Sequence, residues 1–301
     1  MSLCEMCGIN KPVTITSFPS KKVCKECFFI YFEETIHSTI TNSKMFKENE
    51  KVVIGMSGGK DSTVLAYVLN KLNKEKNYKL DLHLLAIDEG ISGYRDHSLK
   101  MVYVNQKELN LPLKVISYRD LYKVSLDEVV SITGRKNTCT KCGTFRRHSL
   151  EMGALEMNAT ALVTGHNSDD IAETVLLNFF RGDDQKLLSC TQSRSFGKVS
   201  RCKPFKYTYQ KDIVMYALYK NLKYFSTECV YFPGAYRGNM RMFIKKLENI
   251  DKGFIMNIIR SGDYFYKECK GIVFKECKIC KITSKNDICQ ACLLSQSINN
   301  L

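Results

Sequence analysis

Ser57-Gly58-Gly59-Lys60-Asp61-Ser62 is the stretch of this chain best equipped for phosphate chemistry. It follows the apolar run Lys51–Met56 and precedes Val64, Leu65, Val68, Leu69 and Leu72 at helical spacing. It therefore reads as a turn between a buried strand and a helix. Such a turn offers an anion free backbone N–H groups and the positive end of a helix dipole. Gly58 and Gly59 let phosphate approach the backbone, and Ser57 and Ser62 add hydroxyl donors. A Walker A loop needs Gly-x-x-x-x-Gly-Lys-[Ser/Thr], whereas here Lys60 precedes Asp61 and the glycine spacing differs. Asp61 would repel phosphate unless a cation bridges the two, which implies Mg²⁺.

Cysteine chemistry is the second signal. Of fourteen cysteines, ten fall in five Cys-x-x-Cys pairs. Cys4/Cys7 with Cys24/Cys27, and Cys277/Cys280 with Cys289/Cys292, form two four-thiolate sets suited to tetrahedral structural Zn²⁺. The fifth pair, Cys139/Cys142, has no second pair nearby; Cys229 is a third thiol within the same region. Three thiolates suit a 4Fe-4S cluster with one open iron. They equally suit persulfide chemistry with a resolving cysteine, or a third zinc site completed by a histidine. Cys190, Cys202 and Cys269 read as incidental thiols.

The elements that must position these residues alternate. Strands are expected at 51–56, 80–88, 112–118 and 159–164, and helices at 31–50, 61–73, 96–109, 146–157 and 168–180. That alternation predicts an α/β fold with a parallel sheet and right-handed crossovers. Ligands then bind beyond the carboxyl ends of the strands, where both Ser57–Ser62 and Gly165–Asp170 lie. Residues 205–268 read as helical and basic. The expected organisation is an N-terminal knuckle over 1–30, a catalytic domain over 31–270 and a C-terminal knuckle over 271–301.

With 301 residues and 44% hydrophobic content, the chain can bury a full core. Nothing approaches the length of a membrane span, and Met1–Glu5 lacks a secretory leader pattern, so a cytosolic address is expected. A net charge of +14 suits a polyanionic partner. Arg237, Arg241, Lys245 and Lys246 follow Cys229 at near-helical spacing and are expected, with Arg147, to face RNA phosphates. Arg146 and Arg147 can also stabilise charge developing on a phosphate. His166 reads as a positioned active-site residue rather than a metal ligand.

Ser-Gly-Gly-x-Asp-Ser after a strand resembles the PP-loop of the ATP pyrophosphatase family. There the loop holds the leaving pyrophosphate while a substrate oxygen attacks the α-phosphate. Thr133 to Arg147, Gly165 to Thr174 and Glu228 to Arg241 are similar to the cytoplasmic tRNA 2-thiolation protein 1 family, and the likeness runs over nearly the whole chain. Only Lys11 to Lys22 matches poorly. The resemblance implies a Rossmann-like PP-loop domain that adenylates O2 of the wobble uridine (position 34) of a tRNA, after which sulfur displaces AMP. It implies Cys139, Cys142 and Cys229 as cluster ligands. Met56, Ser57, Asp61, Ser62, Ile87, Arg146 and Gly165 match positions lining ATP, and Asp169 a position suited to Mg²⁺. It further implies a thiocarboxylated ubiquitin-like sulfur carrier and either a second thiolation subunit or a homodimer.

Two other readings meet resistance from the residues. An adenylase joining an amino acid to cytidine would have no use for the three central cysteines. A non-catalytic tRNA-binding subunit would be expected to have lost Ser57, Asp61 and Ser62.

Overall fold

The computed structural model describes residues 2–195, 197–231, 237–268 and 274–299. Cys269 and positions 232–236 of the third matching stretch lie outside them. The chain opens with a two-stranded hairpin, β1 (Thr14–Ile15) and β2 (Lys22–Val23), in which Thr14 faces Val23. Helix α1 (Lys25–Asn42) begins at the second cysteine pair, with Cys24 as its N-cap. The sequence predicted a helix over 31–50; the real one starts six residues earlier and ends eight earlier. Its Phe28, Phe32 and Ile36 share one core with Cys4, Val23, Val52 and Leu65, so position 30 is not a structural boundary.

A five-stranded parallel sheet forms the centre, in the order β5-β4-β3-β6-β7. In chain order its inner part comprises β3 (Lys51–Met56), α2 (Lys60–Glu75), β4 (Asp81–Asp88), α3 (Arg95–Leu109) and β5 (Leu113–Ser117). Two short helices follow, α4 (Tyr118–Tyr122) and α5 (Leu126–Thr133), each opened by a serine capping box. Next come α6 (Thr138–Glu156), β6 (Ala161–Val163), α7 (Ser168–Phe180), α8 (Asp184–Cys190) and the edge strand β7 (Ser200–Cys202).

Strand period decides which face each side chain joins. On β3, Val52, Ile54 and Met56 enter the core with Val64, Leu65 and Val68 of α2. Val53 enters the opposite core with Leu85, Ile116 and Phe145. Both faces are therefore covered, as an all-parallel sheet requires.

The basic C-terminal region supplies α9 (Gln210–Tyr219), α10 (Arg237–Ile250) and α11 (Phe254–Glu268). Met240 and Ile244 of α10, with Ile255 and Ile259 of α11, pack on Ile171 and Val175 of α7 as a third core. A second hairpin, β8 (Lys275–Glu276) and β9 (Thr283–Ser284), leads into α12 (Gln290–Asn299), which rests on α6. No helix among the described residues is long and apolar enough to cross a membrane.

Candidate active site and metal centres

A cleft of about 330 Å³ opens at the carboxyl ends of β3, β4 and β6. Met56, Ser57, Asp61, Ser62, Ile87, Arg146, Gly165 and His166 all line it. Gly58, Gly59 and Lys60 complete the loop without lining the cleft.

The loop is wired from within. Ser57 N–H donates to Ser62 Oγ at 3.2 Å, and Ser62 Oγ donates to Gly59 O at 3.0 Å. Gly58 sits at φ +75°, and a Cβ there would stand 2.4 Å from Ser98 O, so only glycine fits. Its carbonyl accepts the Phe225 N–H at 2.8 Å, which fastens the approach to Cys229 onto the loop. Gly165 brings the second loop against Asp61, where a Cβ would lie 3.0 Å from the Asp61 carbonyl carbon.

Asp61 is held from two sides, by Lys60 Nζ at 2.8 Å and by Asn167 Nδ2 at 3.2 Å. Asn167 also caps α7 through a reciprocal box with Asp170. Asp170 lines the cleft, and burial pushes its carboxyl up to about 6, with Arg237 pulling the other way.

Asp169 differs from its expectation as an Mg²⁺ ligand. It does not line the cleft, its side chain is 3% exposed, and Lys245 Nζ holds it at 2.6 Å while the Gln210 N–H donates at 2.9 Å. The helical register of α7 turns Asp170, one position on, toward Asp61 instead.

His166 lines the cleft with an exposed ring whose Nδ1 lies 2.8 Å from Thr164 Oγ1. Desolvation in the cleft, with Lys203 and Arg237 adding to it, disfavours its protonated form.

The expected RNA-facing stripe on α10 is mostly spoken for. Arg237 Nε and Arg241 Nε both engage the buried Glu173 carboxylate, and Lys245 engages Asp169. Positions 237, 241 and 245 thus pair with the acidic face of α7, while their side chains stay 39%, 41% and 42% exposed. Lys246 and Arg147 are exposed.

Beyond the cleft lies the cysteine pair. The sequence placed a helix start at Arg146; α6 instead begins at Thr138, so Cys139 and Cys142 occupy its first turns. Cys142 is 7% exposed, and burial raises its thiol pKa. Tyr118 Oη donates to the Cys142 carbonyl at 2.8 Å. Cys139 is exposed and meets Tyr231 O at 3.4 Å; Cys229 is partly buried. Arg146 joins the two regions. Its Nε donates to Glu89 at 2.8 Å, and its Nη2 lies 3.6 Å from Cys142 Sγ. Glu89 and Tyr94 carried no motif that would have flagged them, and Asn167 lay within the Gly165 to Thr174 stretch without a role assigned to it.

Two clusters among the described residues bring metal-ligating atoms within 4.8 Å of one another: Cys4, Cys7, Cys24 and Cys27, and Cys280, Cys289 and Cys292 with His148. Cys277 Sγ is 3.9 Å from Cys292 Sγ, completing the predicted four cysteines, while His148 of α6 was not foreseen. Burial pushes the Cys4 and Cys277 thiols up, but backbone N–H donors outweigh it and bring each to about 6. Each knuckle thus has a thiol disposed to ionise, while burial and the neighbouring thiols raise Cys27, Cys280 and Cys292, the crowding of acidic groups that a bound cation would relieve. The three central cysteines are in neither cluster. A single tetrahedral ion would need them closer; a cubane, with one thiolate per iron, does not.

Residues 31–247 match the PP-loop domain family. The cytoplasmic tRNA 2-thiolation protein 1 of Arabidopsis thaliana is 51% identical over 301 residues, which cover 99% of this chain and 85% of that one. Its counterpart from Xenopus laevis is 49% identical over 300 residues, covering 98% and 88%. Among solved structures, the U34-tRNA thiolase NcsA from Methanococcus maripaludis with its 4Fe-4S cluster superposes with a TM-score of 0.86. It is 29% identical and covers 99% of this chain and 96% of its own.

Proposed function

Because the chain belongs to the cytoplasmic tRNA 2-thiolation protein 1 family, with a PP-loop domain over residues 31–247, we propose that it is an ATP-dependent tRNA-uridine 2-sulfurtransferase acting on cytoplasmic tRNAs. The observation that carries the reading is the side chain that links the cleft to the central cysteines. Arg146 lines the phosphate cleft and lies 3.6 Å from Cys142 Sγ, so adenylation and sulfur delivery meet at one guanidinium.

In the first step uridine O2 at position 34 attacks the α-phosphorus of ATP. An O2–P bond forms, the bond to the β-phosphate oxygen breaks, and pyrophosphate leaves. The Ser57–Ser62 loop holds the departing group with backbone N–H groups and hydroxyls. Arg146 offsets charge on the pentavalent phosphorus. Asp61 and Asp170 both line the cleft and fit Mg²⁺, which would neutralise their mutual repulsion and that of the phosphates. The N3 proton of uridine is lost in the first step. In the second, hydrosulfide, freed when water converts the carrier's thiocarboxylate to a carboxylate, attacks C2, the C2–O bond breaks, AMP leaves with the oxygen, and the S–H proton returns to N3.

Cys139, Cys142 and Cys229 would hold a 4Fe-4S cluster, whose uncoordinated iron supplies a binding position for sulfur. Burial of Cys142 keeps bulk water from that side of the site. The sulfur donor is a thiocarboxylated ubiquitin-like carrier, and a second thiolation subunit or a second copy of the chain completes the assembly. Two Zn²⁺ occupy the terminal knuckles as closed structural sites. Exposed Lys246 and Arg147 add phosphate contacts to the bound tRNA. The reading is tested by anaerobic purification, iron and zinc counts, and an assay with unmodified tRNA, ATP and sulfide. Roughly four iron and two zinc per chain are expected. Active protein without iron would remove the cluster from the reading.

A further inference from the structure

His148 lies on α6, about two and a half turns beyond Cys139 and under two turns beyond Cys142. It is 8% exposed, and its Nε2 is buried without a hydrogen-bond partner among the described residues. Leaving such a polar atom unpaired is unfavourable, so the position calls for an explanation. Its ring lies at the C-terminal knuckle, with one nitrogen within 4.8 Å of the Sγ atoms of Cys280, Cys289 and Cys292. Nδ1 is occupied by Tyr122 Oη at 2.7 Å, which leaves Nε2 as the nitrogen available to the sulfurs.

The centre therefore has five donors for the four positions of tetrahedral zinc. Four of the five are cysteines from one segment, two Cys-x-x-Cys pairs within residues 277–292. Cys277 is buried, stands 3.9 Å from Cys292 and accepts the Cys289 N–H at 3.3 Å. The histidine, brought in by another element, is the surplus donor. Four thiolates around one divalent ion leave the centre net anionic, and buried hydrogen-bond donors stabilise that charge. Tyr122 Oη is closer to Nδ1, at 2.7 Å, than to Phe145 O, at 3.2 Å. Ser149 Oγ, at 3.1 Å, can donate to the same hydroxyl. With the hydroxyl proton directed to Nδ1, its nearest partner, the neutral ring carries its own hydrogen on Nε2.

We propose that His148 is a hydrogen-bond donor to the C-terminal metal centre, its Nε2–H directed at the thiolates of Cys280, Cys289 and Cys292. The contact ties the knuckle to the helix that bears Cys139 and Cys142. It rests on the assignment of zinc to that knuckle.

The test compares the full chain with its H148A and H148Q variants. Zinc per chain, the rate of zinc release to a chromogenic chelator, and the absorption of the Co²⁺-substituted proteins are measured. Wild type should hold two zinc and release them in two phases. In H148A one phase should accelerate about 10–100-fold and the other stay unchanged. H148Q, which keeps an N–H donor, should recover part of the loss. The Co²⁺ ligand-field bands should remain those of tetrathiolate sites, with the sulfur-to-metal charge-transfer band shifted in H148A. Unchanged release in H148A and H148Q would overturn the proposal, as would a wild-type Co²⁺ spectrum with one nitrogen ligand, which needs no variant. Zinc absent from the C-terminal knuckle of wild type would instead overturn the zinc assignment, and the proposal with it.

Discussion

Asp61 stands between Lys60 and Asn167, and Asp170 faces it across the cleft. If these carboxylates share Mg²⁺ on the phosphates, D61A should lower tRNA-dependent AMP formation by about 100-fold or more. D170N should raise the Mg²⁺ concentration needed for half-maximal rate. The neighbouring carboxylate should behave differently, because Asp169 is buried against Lys245. D169A should cost about 1–3 kcal/mol in denaturant unfolding while leaving the Mg²⁺ dependence unchanged. A shifted Mg²⁺ dependence in D169A alone would reverse the assignment. The family resemblance pointed to Asp169, and residue types alone could not distinguish it from Asp170. A single step along a helix rotates a side chain by about 100°, and the cap geometry that sets that rotation is tertiary.

At the scale of elements, the PP-loop depends on one close approach. G58A places a Cβ 2.4 Å from Ser98 O and a non-glycine residue at φ +75°. It should cost about 1–3 kcal/mol and loosen ATP, read by thermal unfolding with and without nucleotide.

Helix α9 carries another testable join. Asp212 is 1% exposed and bonds Ser17 Oγ at 2.9 Å, linking α9 to the N-terminal knuckle. Burial, opposed by its Ser17 hydrogen bonds, pushes the Asp212 carboxyl up from 3.8 to about 6. A raised folded pKa favours the protonated form on folding. Its stabilisation is complete below about 4 and is lost as pH rises through about 6. From pH 4 to pH 7 wild type should therefore lose about 2 kcal/mol relative to D212N. A constant difference across that range would contradict this account.

The strands β3, β4 and β5 were legible because apolar runs met turn residues. β7 was not, since three residues at a sheet edge leave no period to read. The start of α6 was hidden for another reason: Thr138-Cys-Thr-Lys-Cys-Gly is poor in helix formers, and packing of Cys142 and Phe145 holds it helical.

Across the whole molecule, the terminal knuckles are walls of the catalytic body. Cys4, Cys24 and Cys27 share a core with β3 and α2, while Cys277, Cys289 and Cys292 share one with Phe145 and Leu85. If the knuckles hold zinc as proposed, chelating it should thus lower the thermal midpoint of the entire chain by about 10 °C or more in one transition. A small early transition with the main one unmoved would mean detachable modules. The sequence disclosed the two knuckles through spacing alone. It could not disclose His148 beside the second, because that contact spans more than a hundred residues.

The central claim, that one site adenylates a tRNA uridine and then replaces its O2 with sulfur, is tested most directly in a single-turnover reaction. Anaerobically purified protein, unmodified tRNA, Mg²⁺, sulfide and ATP labelled in the α-phosphate are combined, and AMP and 2-thiouridine are counted together. The two should appear in equal amounts, and D61A should abolish both. AMP absent with every tRNA, or 2-thiouridine formed without ATP, would contradict the account.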